Sequence, residues 1–350
     1  MNGSISLMNG KYFTGTWETS ARHASGEVVF FTGMTGYQEV LTDPSYAGQI
    51  IAFTYPLIGQ YGLESDGSES AHIQVAGVLV QSLADSGDQS DLKDWLEQEG
   101  IPVLSQVDVR ALVHVLRDEG DQFGMMAADI HETLEVPDVR HLTERVTTTS
   151  IVQEGNGEKG HIVCLDFGVK ASMIGEMVKR GYRLTSVPYQ TSKEVVEALR
   201  PDGILVSNGP GDPRDHMGQI EVIRELALSY PTLGICMGHQ LLALAFGCKI
   251  EKQTYGHRGS NHPVRNVKTN EVWMTSQNHG YVVARMSIEQ SPLELLYENV
   301  NDHSVEGLIH PNASIFTTQF HPEASPGPTD AQSVFDRFDD MIQQGVNAYA

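Results

Sequence analysis

"PTLGICMGHQLLALAFG" (residues 231–247) sets a cysteine between two glycines, after a short apolar run and before an amphipathic one. Gly234, Cys236 and Gly238 make the pattern G-x-C-x-G. This is the cysteine form of a nucleophile elbow, where a strand turns sharply into a helix and leaves the nucleophile at the bend. Small flanking residues permit the close packing that such a turn needs. A packing cysteine has no use for flanking glycines, so Cys164 and Cys248 read as small buried hydrophobes and Cys236 does not.

The elbow sits inside a regular alternation that begins at His161. "HIVCLDFG" reads as a buried strand, "KASMIGEMVKRG" as a helix stopped by Gly181, and "YRLTSVPY" as a strand. "TSKEVVEALR" follows as a helix opened by a Thr191-x-x-Glu194 capping box. "DGILVSNGPGD" is a strand running into a tight loop, "GQIEVIRELALSY" a helix, and "PTLGIC" the strand that meets the elbow. Such alternation predicts an α/β domain with a mostly parallel sheet covered by helices on both faces. Active sites of such sheets lie at the carboxyl ends of the strands, where both "NGPGD" and Cys236 fall. After Gly247 the chain becomes strand- and turn-rich, and "DAQSVFDRFDDMIQQG" closes it as a helix.

Residues 1–150 read as a separate mixed α/β, strand-rich domain. "GEVVFFTGM" and "QIIAFTYP" are apolar, β-branched and aromatic runs bounded by turn residues. "VDVRALVHVLRDEG" reads as a helix with Leu112, Val115 and Leu116 on one face and Gly120 at its end. The polar, Gly-rich stretch 151–160 is expected to be the linker, and residues 161–350 the second domain. At 350 residues, two domains is the natural division.

The net charge of −22 is uneven. Residues 1–150 carry 7 Lys and Arg against 22 Asp and Glu, a net of −15. Such acidity argues against nucleic acid or an anionic membrane as partner. No uninterrupted apolar run reaches the roughly 18 residues of a membrane span, and no secretory signal is expected at the start. Three scattered cysteines do not make a disulfide framework, so a cytoplasmic location is expected.

A thiol becomes a strong nucleophile when a base or a helix N-terminus favours its thiolate. The base is best sought in "IFTTQFHPEASPGP", where His321 and Glu323 stand two apart after an apolar strand. Alternate residues of an extended chain point the same way, which would put the carboxylate beside the imidazole. H-x-E alone is a common pattern, and no third ligand stands at a spacing that suggests a metal site. An oxyanion hole needs two backbone N–H groups aimed at one point. Met237, next to the nucleophile, is expected to supply one, and the loop "SNGPGDP" (207–213), with Gly209 and Gly211, the other. That loop is not a phosphate-binding loop, since neither G-x-x-x-x-G-K-[ST] nor a helix-opening G-x-G-x-x-G occurs in the chain. His257, His262 and His279 read as loop histidines making ordinary hydrogen bonds.

Taken together, "GICMGHQLLALAFG", "NGPGDP" and "FHPEASPGP" resemble the class I glutamine amidotransferases in order and context over about residues 160–345. The resemblance implies Cys236 as nucleophile, His321 as base and acid, and Glu323 as orienter. "FTGMTGYQEVLTDPSYAGQIIAFTYPLIG", "GSNHPV" and "SQNHGYVV" extend it to the small-chain family of carbamoyl-phosphate synthases, covering essentially the whole chain. That resemblance implies glutamine held by Ser45, Gly209, Gly211, Met237, Gln240, Asn278, Gly280 and Tyr281. It implies ammonia passed to a large-subunit partner that uses ATP, Mg²⁺ and bicarbonate, with no cofactor or metal in this chain. Related chains often carry Leu where Met237 stands and Gly where Phe320 precedes the histidine. The alternatives are the amidotransferase subunit of another synthase, an inactive docking subunit, and a cysteine peptidase on a related fold.

Overall fold

The computed structural model describes residues 1–84, 92–128 and 136–349. It separates into two compact units. One comprises residues 1–139, 253–259 and 325–327, and the other residues 140–252, 260–324 and 328–350.

The first unit contains β1 (Asn2–Leu7), β2 (Tyr12–Trp17), β3 (Ala24–Phe31), β4 (Gln49–Phe53), β5 (Leu57–Ile58), β6 (Gly77–Leu79), β7 (Ser82–Leu83), β8 (Val103–Ser105) and β9 (Gln122–Ala127). Among the described residues, seven of these close into a barrel in the order β1-β2-β8-β6-β4-β3-β9. Three of its pairings are parallel: β3 with β4, β4 with β6, and β6 with β8. The helices are α1 (Tyr37–Thr42), α2 (Leu92–Gln98) and α3 (Val109–Glu119). Asp108 caps α3 through Ala111 N, and Gly120 ends it at a φ of +92°. Val109, Leu112 and Leu116 form its buried face, and Val115 packs against the same core. Closing the sheet on itself removes its edges, and alternate residues of β3 and β4 feed two separate apolar clusters, one with α1 and α2 and the other with α3.

Residues 253–259 join this unit for a visible reason. Arg258 forms a buried ion pair with Asp121 at 2.9 Å, and its carbonyl accepts from Thr32 N. Breaking such a pair would strand a buried charge.

Among the described residues, the second unit carries a 10-stranded sheet. Its strands are β10 (Val152–Glu154), β11 (Gly160–Asp166), β12 (Tyr182–Pro188), β13 (Gly203–Val206), β14 (Thr232–Ile235), β15 (Ile250–Asn266), β16 (Val272–Val283), β17 (Glu294–Asn299), β18 (Val305–Ile309) and β19 (Ile315–Thr318). Their order is β10-β12-β11-β13-β14-β19-β18-β17-β15-β16. From β12 to β19 the neighbours run parallel. Beyond β19 the sheet continues through antiparallel pairs. Its helices are α4 (Leu142–Val146), α5 (Ala171–Lys179), α6 (Lys193–Ala198), α7 (Ile220–Ser229), α8 (Met237–Ala245) and α9 (Ser333–Tyr349). Two apolar clusters fill the unit, one with α7 and α8, the other with α5 and α9. Buried on both faces, the central strands read as unbroken apolar runs such as Ile162–Leu165.

Two local expectations differ from the structure. The stretch expected as a linker holds β10, which pairs antiparallel with β12 at the sheet's edge. Ser192 stands at the N-cap position of α6 without a side-chain cap bond, while the Thr191 hydroxyl donates to Pro188 O at 2.7 Å. Threonine here closes the turn behind the helix instead of opening a capping box.

Candidate active site

Cys236 links β14 to α8 at φ +54° and ψ −102°. A side chain other than glycine adopts that conformation only when its surroundings impose it. The impositions are visible. Cys236 N donates to Thr318 O at 2.8 Å, and its carbonyl already accepts from Gln240 N. A Cβ on Gly234 would collide with Leu242 and the Gly238 carbonyl, and one on Gly238 would overlap Val206 O. The glycines let the helix start press against the strand ends, which is the elbow the sequence announces. Met237 opens α8, so its N–H belongs to the first turn and has no acceptor within the helix.

The loop after β13 starts beside this elbow. Gly211 takes φ +90° and so uses glycine's freedom. Gly209 is glycine for a different reason, because a Cβ there would overlap Phe167 O. Ser207 Oγ accepts from Phe167 N and donates to Asn208 O, fixing the loop's first turn.

His321 and Glu323 follow β19, the strand next to β14. They do not sit on extended chain. His321 makes a single antiparallel bridge with Ser276, and Ala324 N returns to His321 O at 3.1 Å to close a turn. The turn brings His321 Nδ1 within 2.6 Å of Glu323 Oε1. With the carboxylate on Nδ1, the other ring nitrogen, Nε2, makes no hydrogen bond and is left for chemistry. Both side chains are almost wholly buried. Burial alone would lower the His321 pKa, but the Glu323 carboxylate and then the Cys236 sulfur outweigh it and raise it to about 10. Burial would raise that of Glu323, yet Lys170 and then His321 hold it down to about 2. An imidazolium beside Cys236 is the partner a thiolate needs.

Two side chains escaped the sequence reading. Lys170 Nζ donates to Glu323 Oε1 at 3.1 Å and to Ala324 O at 2.7 Å from a site that is 2% exposed. Gln319 Nε2 approaches Cys236 Sγ at 3.7 Å, and its Oε1 accepts from Gln240 Nε2 at 3.0 Å. Gln240 Nε2 also donates to Tyr281 O at 2.8 Å, and Cys236 Sγ donates to Asn278 O at 3.5 Å. Asn278 O and Gln319 thus meet the sulfur directly, and Gln319 links it to Gln240 and, through Gln240, to Tyr281 O. Gly280 lies on β16 between Asn278 and Tyr281. Ser45 belongs to the first unit, buried in a turn whose Asp43 accepts from Ser45 N at 2.8 Å. Phe320 is fully buried, its ring edge-on to that of Tyr297 at 5.4 Å. His257 and His262 lie on β15 and His279 on β16, strands instead of loops. The His279 ring bonds Tyr281 O and Gln277 Oε1, both at 2.9 Å.

No helix of the described residues is long and apolar enough to cross a membrane. Residues 163–341 match the family model for class I glutamine amidotransferases, and residues 5–126 that for the CPSase domain of the carbamoyl-phosphate synthase small chain. The chain is 45% identical over 356 residues to the carbamoyl phosphate synthase arginine-specific small chain of Halalkalibacterium halodurans, covering 99% of this chain and 98% of that one. Identity is also 45%, over 346 residues, to the protein of the same name from Bacillus subtilis, covering 97% and 96%. With the carbamoyl phosphate synthase small chain of Listeria monocytogenes it is 43% over 352 residues, covering 97% and 96%. The elbow, the buried His–Glu pair and likeness over nearly the full length agree: this chain belongs to the carbamoyl-phosphate synthase small-chain family and carries a class I glutamine amidotransferase domain.

Proposed function

We propose that this chain is the glutaminase subunit of a glutamine-dependent carbamoyl-phosphate synthase, with Cys236, His321 and Glu323 as its catalytic residues. The observation that carries this reading is the cysteine held at positive φ beside an imidazole already bonded to a buried carboxylate. The Cys236 thiolate attacks the side-chain amide carbon of glutamine. The oxyanion that forms is met by the Met237 N–H and by a donor of the loop 207–213. His321 gives its Nε2 proton to the departing nitrogen, and ammonia leaves a glutamyl thioester. The same nitrogen then takes a proton from water, whose hydroxide releases glutamate and restores the thiolate. Glutamine is held by Gly209, Gly211, Met237, Gln240, Asn278, Gly280 and Tyr281. Ammonia goes to a large subunit that holds ATP and Mg²⁺ and makes carbamoyl phosphate from bicarbonate. Three buried free cysteines suit a reducing cytoplasm.

Glu323→Gln keeps an oxygen that accepts from His321, whereas His321→Asn removes the only proton carrier at Nε2. Steady-state glutaminase assays are therefore expected to show the smaller loss for Glu323→Gln. Equal losses would mean that Glu323 does more than orient the ring.

Partner dependence tests the subunit role. Free glutaminase activity wastes glutamine, so the chain alone is expected to turn over slowly. Saturating large subunit should raise its rate at least about fivefold, the lower end of common coupling between sites. Identical rates with and without the partner would count against activation. A chain fully active alone, with no partner in pull-downs from its host, would overturn the subunit reading.

A further inference from the structure

We infer that Thr143 and His216 are positioning residues that lock the peptide between Pro210 and Gly211, and with it the direction of the Gly211 N–H toward the substrate. This rests on the reading of loop 207–213 as a donor to glutamine and to its oxyanion.

Thr143 lies on α4 and is 2% exposed. Its Oγ1 stands 3.1 Å from His216 Nε2 and 3.5 Å from Pro210 O. With the ring proton on Nε2, the imidazole donates to Oγ1 and the hydroxyl donates onward to the carbonyl. His216 is itself immobilised. Its ring packs edge-on between Phe167 and Tyr189, with centroids at 5.2 and 5.3 Å. Burial there keeps the imidazole neutral, lowering its pKa to about 4.

Why a carbonyl matters follows from peptide geometry. In a trans peptide the C=O and the next N–H point in opposite directions. Holding Pro210 O toward Thr143 therefore fixes the Gly211 N–H on the opposite side. Gly211, at φ +90°, has no side chain to resist rotation of that peptide. Gly209, two residues earlier, is fixed by its close approach to Phe167 O. A donor that must meet a developing charge gains from being set beforehand, because no reorganisation is then needed as the charge forms.

The rest of the strap is fastened as firmly. Thr147 Oγ1 donates to Asp166 O at 2.6 Å and accepts from Tyr189 N at 3.4 Å. Asp166 accepts from the N–H groups of Thr148, Gly168 and Val169 at 2.7–2.8 Å. Residues 143–148 thus tie together the segments that follow β11, β12 and β13. They follow closely on Arg140, where the second unit begins.

The test uses the full chain with its large subunit. Thr143→Val keeps the shape and removes the hydroxyl; Thr143→Ser restores a hydroxyl; His216→Phe keeps the aromatic packing and removes Nε2. Glutamine turnover is read beside alkylation of Cys236 by iodoacetamide, a reaction that forms no oxyanion. Thr143→Val and His216→Phe are expected to lose roughly tenfold in kcat/KM for glutamine, less than the loss of a whole oxyanion donor. Alkylation should stay within about twofold of the parent, and Thr143→Ser should recover most of the glutamine activity. Full kcat/KM in Thr143→Val, equal losses in turnover and alkylation, or no rescue by serine would each overturn the inference. Where Thr143→Val does not fold, His216→Phe decides by the same two rates. Cys236→Ser, assayed alongside, separates the two layers. If it retains glutaminase activity, the site reading fails and the inference with it. If it is inactive while the strap variants are unimpaired, only the inference fails.

Discussion

Cys236→Ser will lower glutamine turnover by roughly 10³-fold or more while leaving the fold intact. Serine is close in size and makes the same backbone bonds, so nothing at the elbow is asked to move. The loss is chemical: a hydroxyl oxygen is a far weaker nucleophile toward the amide carbon than the sulfur it replaces. Far-ultraviolet circular dichroism and urea unfolding should match the parent chain. With the large subunit present, synthesis of carbamoyl phosphate from free ammonia should persist, since ammonia bypasses the sulfur. Loss of the ammonia-dependent reaction together with the glutaminase would argue against separate sites for the two steps. Retention of glutaminase activity would remove Cys236 from the mechanism.

A second large effect is expected at Lys170. Its ammonium is buried against the Glu323 carboxylate, which in turn holds His321. Lys170→Met keeps the volume of the stem but takes away one of the two cations that face that carboxylate. Removing one member of a buried pair commonly costs about 3–5 kcal/mol, because the remaining charge is left without compensation. Urea unfolding should show a loss of that order, accompanied by a fall in glutamine turnover. Adding Glu323→Gln to Lys170→Met removes the stranded charge, so the double variant should be more stable than the sum of the single losses allows. Strict additivity of the two would show that the pair is not energetically coupled.

What the sequence revealed, and what it hid, follows from how far each signal reaches. G-x-C-x-G is a local steric demand, and the collisions that a side chain at Gly234 or Gly238 would meet are that demand in three dimensions. The alternation from His161 onward gave a parallel sheet because each strand and its helix are consecutive. The nearness of His321 and Glu323 was legible from their spacing, but for another reason than extended chain: a turn folds one back on the other. Lys170 was hidden because "FGVK" looks like any strand-to-helix junction, and only the packing of residues 153 positions later makes that lysine buried. The barrel was hidden likewise. Its closure pairs β1 with β9, about a third of the chain away, and no periodicity within either strand reports its partner. The pull of residues 253–259 into the first unit depends on Arg258 meeting Asp121, which is again a contact of long range.

Cys236 and His321 leave the sheet from β14 and β19, neighbours that pair in register from Thr232 with Ile315 to Ile235 with Thr318. The points from which the two segments depart are therefore spaced as adjacent strands are, about 4.8 Å apart, and the turn at His321–Ala324 with the bridge to Ser276 carries the imidazole from there. A spacing of that kind behaves like the pitch of a lattice. It has no soft coordinate, and it changes only when the ladder itself opens. The anchoring of the reacting pair is in this sense a property of the sheet, and a single turn beyond β19 completes it.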